Sequence, residues 1–122
     1  MPSQALRNSL HDLFGDVAPK LVELTEAVVY DDIWERTQLS KRDRSMITVA
    51  ALIALNRSEQ LPAHLQRALD NGVHREELEE VITHMAIYGG FPPAITAARI
   101  AKEVFGARKP KKEGRKPVAR KR

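Results

Sequence analysis

The 122-residue chain is long enough for one packed core and too short for two independent ones. It contains no cysteine, which excludes disulfides, thiolate metal sites and cysteine-based peroxidase or reductase chemistry. The net charge of +4 is unevenly placed: residues 1–106 carry eleven Lys/Arg against fifteen Asp/Glu, whereas residues 107–122, ARKPKKEGRKPVARKR, carry nine against one. A mildly acidic domain therefore precedes a strongly basic end.

In chain order, residues 1–15 read as a short amphipathic helix capped by Ser3 and stopped at Gly15. Asp16 is placed to cap a second helix, with Pro19 in its first turn and Leu21, Val22, Leu24, Val28 and Val29 on one apolar face. It ends near Tyr30-Asp31-Asp32, before a loose segment with Ile33 and Trp34. Ser40 opens a third helix, with Asp43 three residues on in a near capping-box arrangement. From Met46 to Leu55 only Thr48 is polar, so this helix is expected to be buried on all sides, with contacts between subunits helping to cover it.

Leu61 to Asp70 is the fourth helix, with Pro62 at its start and Asn71-Gly72 as its left-handed stop. Arg75 to Tyr88 is the fifth, with His74 at its N-cap and Glu76, Glu77, Glu79 and Glu80 near its positive end. Pro92 or Pro93 starts the sixth, which runs to Phe105 and stops at Gly106. No segment shows sustained strand alternation, so the expected fold is all-α. The expected organisation is an N-terminal helical segment (1–15), one domain (16–106) and a basic disordered tail (107–122).

No apolar run reaches the roughly eighteen residues of a membrane span. The N-terminus, MPSQALRNSLHDLFG, has no apolar signal core, so a cytoplasmic location without membrane attachment is expected. The tail has no aromatic residue to stack on bases, which limits it to weak, non-specific attraction for nucleic acid.

His64 follows a polar turn, Ser58-Glu59-Gln60, and begins the fourth helix directly after the apolar one. An imidazole there can give or take a proton, and a neighbouring carboxylate would fix its tautomer and raise its pKa. The alternative is a structural histidine satisfied by a backbone carbonyl. His84 and Tyr88, four residues apart, share a helix face and either line a pocket or pack against a neighbouring helix. Arg42, Arg44 and Arg57 bracket the third helix, and a guanidinium near His64 would suit an anionic substrate. Two histidines without a HExxH or a His/Asp cluster do not make a catalytic metal site.

Asn56-Arg57-Ser58-Glu59-Gln60-Leu61 followed by His64, then Asn71-Gly72-Val73, then His84 to Tyr88 and the Gly89-Gly90-Phe91-Pro92 break, form an ordered set. Over roughly residues 14 to 106 the chain resembles the carboxymuconolactone decarboxylase family, whose wider superfamily includes the alkylhydroperoxidase D-like proteins. The resemblance implies a six-helix, homo-oligomeric fold, hexamer or trimer. It also implies a cofactor-free decarboxylase acting on 4-carboxymuconolactone, or a related small anionic lactone or carboxylate, in aromatic-compound breakdown. His64 would be the proton donor, Glu59 its partner, and Arg57 or Arg44 the carboxylate anchor, with Ser58, His84 and Tyr88 lining the substrate site.

The thiol branch of that superfamily carries a Cys-x-x-Cys pair where this chain has Arg57 and Gln60. It also carries a glutamate where this chain has Ser45, a place that Asp43 or Glu59 could fill functionally. The departure at Ser45 keeps a second reading open, a non-catalytic or regulatory oligomer built on the same scaffold.

Overall fold

In the computed structural model, which describes residues 3–108, every regular element is helical, and no strand occurs among the described residues. The chain divides into two bodies, one up to Arg44 and one from Ser45.

In the first body, α1 (Gln4–Leu10) opens where the Ser3 hydroxyl accepts the Leu6 N–H at 3.1 Å, as the sequence predicts. It continues as a wider π-helical turn from His11 to Gly15. The second helix, α2 (Pro19–Leu24), likewise widens into a π-helical turn over Thr25–Tyr30. Its cap position belongs to Ala18 and not to Asp16. Proline pushes the preceding residue out of the helical region. Ala18 accordingly has φ −136° and ψ 69°, and its carbonyl accepts the first helical N–H groups, from Leu21 and Val22.

Arg7 crosses from α1 to meet Glu26 at 3.3 Å and Asp31 at 3.2 Å. The loose segment closes as one 3₁₀ turn, Ile33–Glu35, with the Trp34 ring 6.1 Å from that of Tyr30. The third helix, α3 (Lys41–Ala54), starts with the Ser40 hydroxyl accepting the Asp43 N–H at 3.0 Å.

The second body holds the rest of α3, α4 (Leu61–Asp70), α5 (Arg75–Gly89) and α6 (Phe91–Ala107). Ser45, Val49 and Ile53, four residues apart, form the inward stripe of α3. Leu61, Leu65 and Ala68 do the same for α4, and Leu78 and Ile82 for α5. Ala94, Ala97 and Ala101 are all buried, and the absence of bulk at these positions lets α6 lie close against α4 and α5.

Within a single chain, Met46–Leu55 is covered along one side. Ile47 and Leu55 remain 57% and 61% exposed, because three neighbouring helices cover only the Ser45-Val49-Ile53 side. The Gly-Gly break is tight for two separate reasons. A Cβ on Gly89 would meet the Ala54 Cα at 3.1 Å, and Gly90 adopts φ +109° to turn the chain into α6.

α6 extends past the expected stop at Gly106 through Ala107, and Arg108 pairs with Asp70 at 3.0 Å. The rest of the expected tail, residues 109–122, lies outside the described residues.

Candidate functional site

Two helix endings in succession place the histidine turn. At the end of α3, Asn56 takes the left-handed conformation, φ 59°, and the Arg57 N–H reaches back to the Leu52 carbonyl at 2.8 Å while the Asn56 N–H bonds Ile53. This six-to-one and five-to-two pairing is the Schellman closure. Gly72 (φ 98°) and Val73 repeat it at the end of α4, bonding Leu69 and Ala68. Between the two closures, α4 begins at Leu61 with Pro62 in its first turn, where a missing N–H costs nothing. The His64 N–H reaches the Gln60 carbonyl at 3.4 Å, so the imidazole leaves from the first complete turn.

His64 is half-buried, and its pKa falls from the usual 6.5 to about 4. Burial is the larger cause, since it penalises the charged imidazolium, and the positive charge of Arg67 is the second. The Arg67 Nη1 lies 3.4 Å from the His64 Nδ1. A guanidinium has only donors and does not lose its proton, so Nδ1 accepts. The proton of the neutral ring then sits on Nε2.

Sequence reasoning put a carboxylate beside His64 to raise its pKa, whereas the structure puts a guanidinium there that lowers it. Glu59 is exposed on the preceding turn and makes no bond to His64. Arg67 was missed although its signal was available. It stands three residues after His64 in a well-marked helix, and such a pair shares a face.

The other expected site residues are dispersed. Arg57 is exposed on the α3–α4 turn. Ser58 is half-buried there and borders a narrow gap of about 150 Å³ with Leu61, Pro93 and Thr96. Arg44 belongs to the first body, where its Nη2 donates to the Arg36 carbonyl at 3.2 Å. His84 and Tyr88 are exposed on α5, with ring centroids 4.9 Å apart. His84 also lines an open groove of about 420 Å³ between α3 and α5, walled mainly by Met46, Ile47, Ala50, Val81 and Met85, with Glu77 and Glu80.

Ser45, the position where the thiol branch has its acid, is fully buried and accepts a hydrogen bond from the Asn71 side chain at 2.9 Å. Among the described residues no cluster of three or more His, Asp or Glu could hold a metal ion.

An all-helical chain with a histidine turn between two Schellman closures and a Gly-Gly-Phe-Pro break agrees with one family profile. That profile, of the Carboxymuconolactone decarboxylase family, matches residues 19–103, and the chain belongs to this family. Over 76 residues the chain is 40% identical to the 4-carboxymuconolactone decarboxylase of Acinetobacter baylyi, covering 62% of this chain and 57% of that protein. Over 115 residues it is 27% identical to the nitrosuccinic acid decarboxylase of Metarhizium robertsii, covering 94% of this chain and 80% of that one. The match thus spans little more than half the length of the Acinetobacter protein.

Proposed function

We propose that the chain is a cofactor-free decarboxylase of small acids, with 4-carboxymuconolactone or a related lactone acid as substrate and His64 as proton donor. The observation that carries this reading is the half-buried imidazole at the head of α4, with a guanidinium on its Nδ1. The names of the two relatives support it chemically. A nitrosuccinic acid and a carboxylated muconolactone are both diacids with an electron acceptor near one carboxylate, a nitro group in one case and an unsaturated lactone in the other.

As the carbon–carbon bond breaks, its electron pair moves into that acceptor and carbon dioxide leaves. A proton must then be delivered to carbon. A half-buried histidine, placed where a helix begins, is suited to that delivery. Hydrogen-bond donors near the acceptor oxygens would carry the developing charge.

The apolar surface of the second body supports a homo-oligomer, a hexamer or trimer. Ile87, Tyr88, Phe91 and Ile95 are all more than half exposed, in addition to Ile47 and Leu55. Apolar surface of that extent usually marks an interface. A substrate site near His64 completed by a neighbouring subunit follows naturally from such an assembly.

Mixing the purified protein with 4-carboxymuconolactone, and separately with nitrosuccinate, while following ultraviolet absorbance and carbon dioxide release tests the reading. Release by the intact protein and its loss in His64→Ala is the expected result. Release unchanged in His64→Ala removes the proposed donor, and no release from any lactone acid or nitro acid removes the activity. The second reading, a non-catalytic oligomer, draws on Ser45, which is sealed in the core and engaged by Asn71 in place of an acid.

A further inference from the structure

His64 and Arg67 bring an imidazole and a guanidinium into contact, and their geometry constrains what each can do. Arg67 occupies the Nδ1 lone pair, so that nitrogen cannot take a proton while the contact lasts. A reaction that replaces a carboxylate with hydrogen consumes one proton per turnover, and a neutral, Nε2-protonated imidazole is a poor source for it. Something must move Arg67 away from Nδ1 before His64 can be charged. A carboxylate is the obvious competitor, because a guanidinium binds it through two charge-assisted hydrogen bonds, each stronger than a bond to a neutral imidazole.

Resting on the decarboxylase reading above, we propose that Arg67 receives the carboxylate that the substrate retains, and that in doing so it releases Nδ1 of His64 to take up the proton the reaction consumes. Substrate binding and proton uptake then become one event. The proton enters at Nδ1 from solvent and gives an imidazolium. On decarboxylation the imidazolium yields one proton to the substrate carbon, the electron pair of the broken bond having moved into the nitro or lactone acceptor. The ring returns neutral, and Arg67 returns to it when the product leaves.

Burial and the Arg67 charge both hold the free ring neutral, in agreement with the geometry. Other charged groups nearby do not oppose this. Arg57 and Glu59 on the preceding turn, and Arg99, Lys102 and Glu103 on α6 packed against α4, are exposed, and Asp70 at the far end of α4 is engaged by Arg108. The charge felt by His64 is that of Arg67. Diacids are thus the substrate class, one carboxylate being lost and the other held, and Arg57 and Arg44 are relieved of the anchoring role.

The test uses succinate, a diacid with no electron acceptor and hence nothing to decarboxylate. Nitrogen-15 spectra of the histidine rings in the intact protein at pH 6.5 should show an unprotonated Nδ1 and a protonated Nε2 on His64. Saturating succinate should move both nitrogens toward imidazolium. Calorimetry in two buffers of different ionisation enthalpy should report uptake approaching one proton per site. Arg67→Gln should weaken succinate roughly 10- to 100-fold and abolish the linked uptake, while Arg67→Lys restores part of the affinity. With a reactive diacid, Arg67→Gln should raise KM by a similar factor.

Succinate that leaves the wild-type His64 nitrogens unchanged overturns the proposal without any variant being needed, as does unchanged succinate affinity in folded Arg67→Gln. Coupled succinate binding in a protein that releases no carbon dioxide would keep the anion switch and discard the decarboxylase. Full turnover in Arg67→Gln would do the reverse.

Discussion

Lowering the pH should destabilise the protein specifically through His64. Its folded pKa, about 4, lies below the 6.5 of an unperturbed histidine, so between these values the unfolded chain binds more protons than the folded one. Stability from this residue is therefore complete above about pH 6.5 and is lost as the pH falls toward 4. Each tenfold difference in proton affinity is worth about 1.4 kcal/mol, so the span amounts to about 3 kcal/mol, and solvent reaching the half-open ring reduces it to roughly 2 kcal/mol. Carboxylates also titrate in this range, so the comparison must be between proteins. Urea unfolding of wild type and of His64→Gln, at one fixed protomer concentration, should be compared at pH 7 and pH 4. Glutamine stays neutral at both values, so the stability difference between the two proteins should shift by roughly 2 kcal/mol against wild type at pH 4. Parallel pH profiles for the two proteins would refute the assignment of a depressed pKa to this residue.

Other perturbations probe separate features. Leu65→Ala, at a fully buried position of α4, should cost about 3 kcal/mol in chemical unfolding without changing helix content at pH 7. Gly89→Ala should lower the melting temperature, because its Cβ would meet backbone of Ala54 at 3.1 Å, whereas Gly72→Ala has open space and suffers only the strain of φ +98°, about 1 kcal/mol. Light scattering at micromolar concentration should give a homo-oligomer, and a stable 14 kDa monomer would contradict the proposed assembly. Deleting residues 109–122 should leave both oligomerisation and turnover unchanged, with a loss of either assigning the basic tail a role.

The helical plan was legible because its punctuation is local. Ser3, Ser40 and Asn71-Gly72 act within a few residues of themselves, and each appears where the sequence put it. Asp16 failed as a cap for an equally local reason, since Pro19 moved the boundary to Ala18. The left-handed Asn56 went unread because asparagine fits many turns, and only the bonds from Asn56 and Arg57 back into α3 identify it as a stop. For α3, one chain covers the Val49-Ile53 side and leaves Ile47 and Leu55 exposed, because composition cannot say how many neighbours one chain supplies. The partner of His64 was missed because the turn before it offers Glu59 as a carboxylate, while in the helix that follows Arg67, three residues on, shares the face of the ring.

That exchange of partners changes the chemistry the histidine is suited to. A carboxylate beside an imidazole stabilises the imidazolium and favours a group charged before the substrate arrives. Here burial first and the guanidinium second hold the ring neutral, and in the proposed switch an anion that draws the guanidinium away ties acidity to occupancy of the site. An enzyme that must protonate a carbanion has reason to keep its acid discharged when empty, because a permanently charged imidazolium in a half-buried site would itself attract adventitious anions and carry a constant desolvation cost. Under the proposed switch, Arg67, which with burial holds His64 neutral, would release the ring to a bound carboxylate and let that charge return.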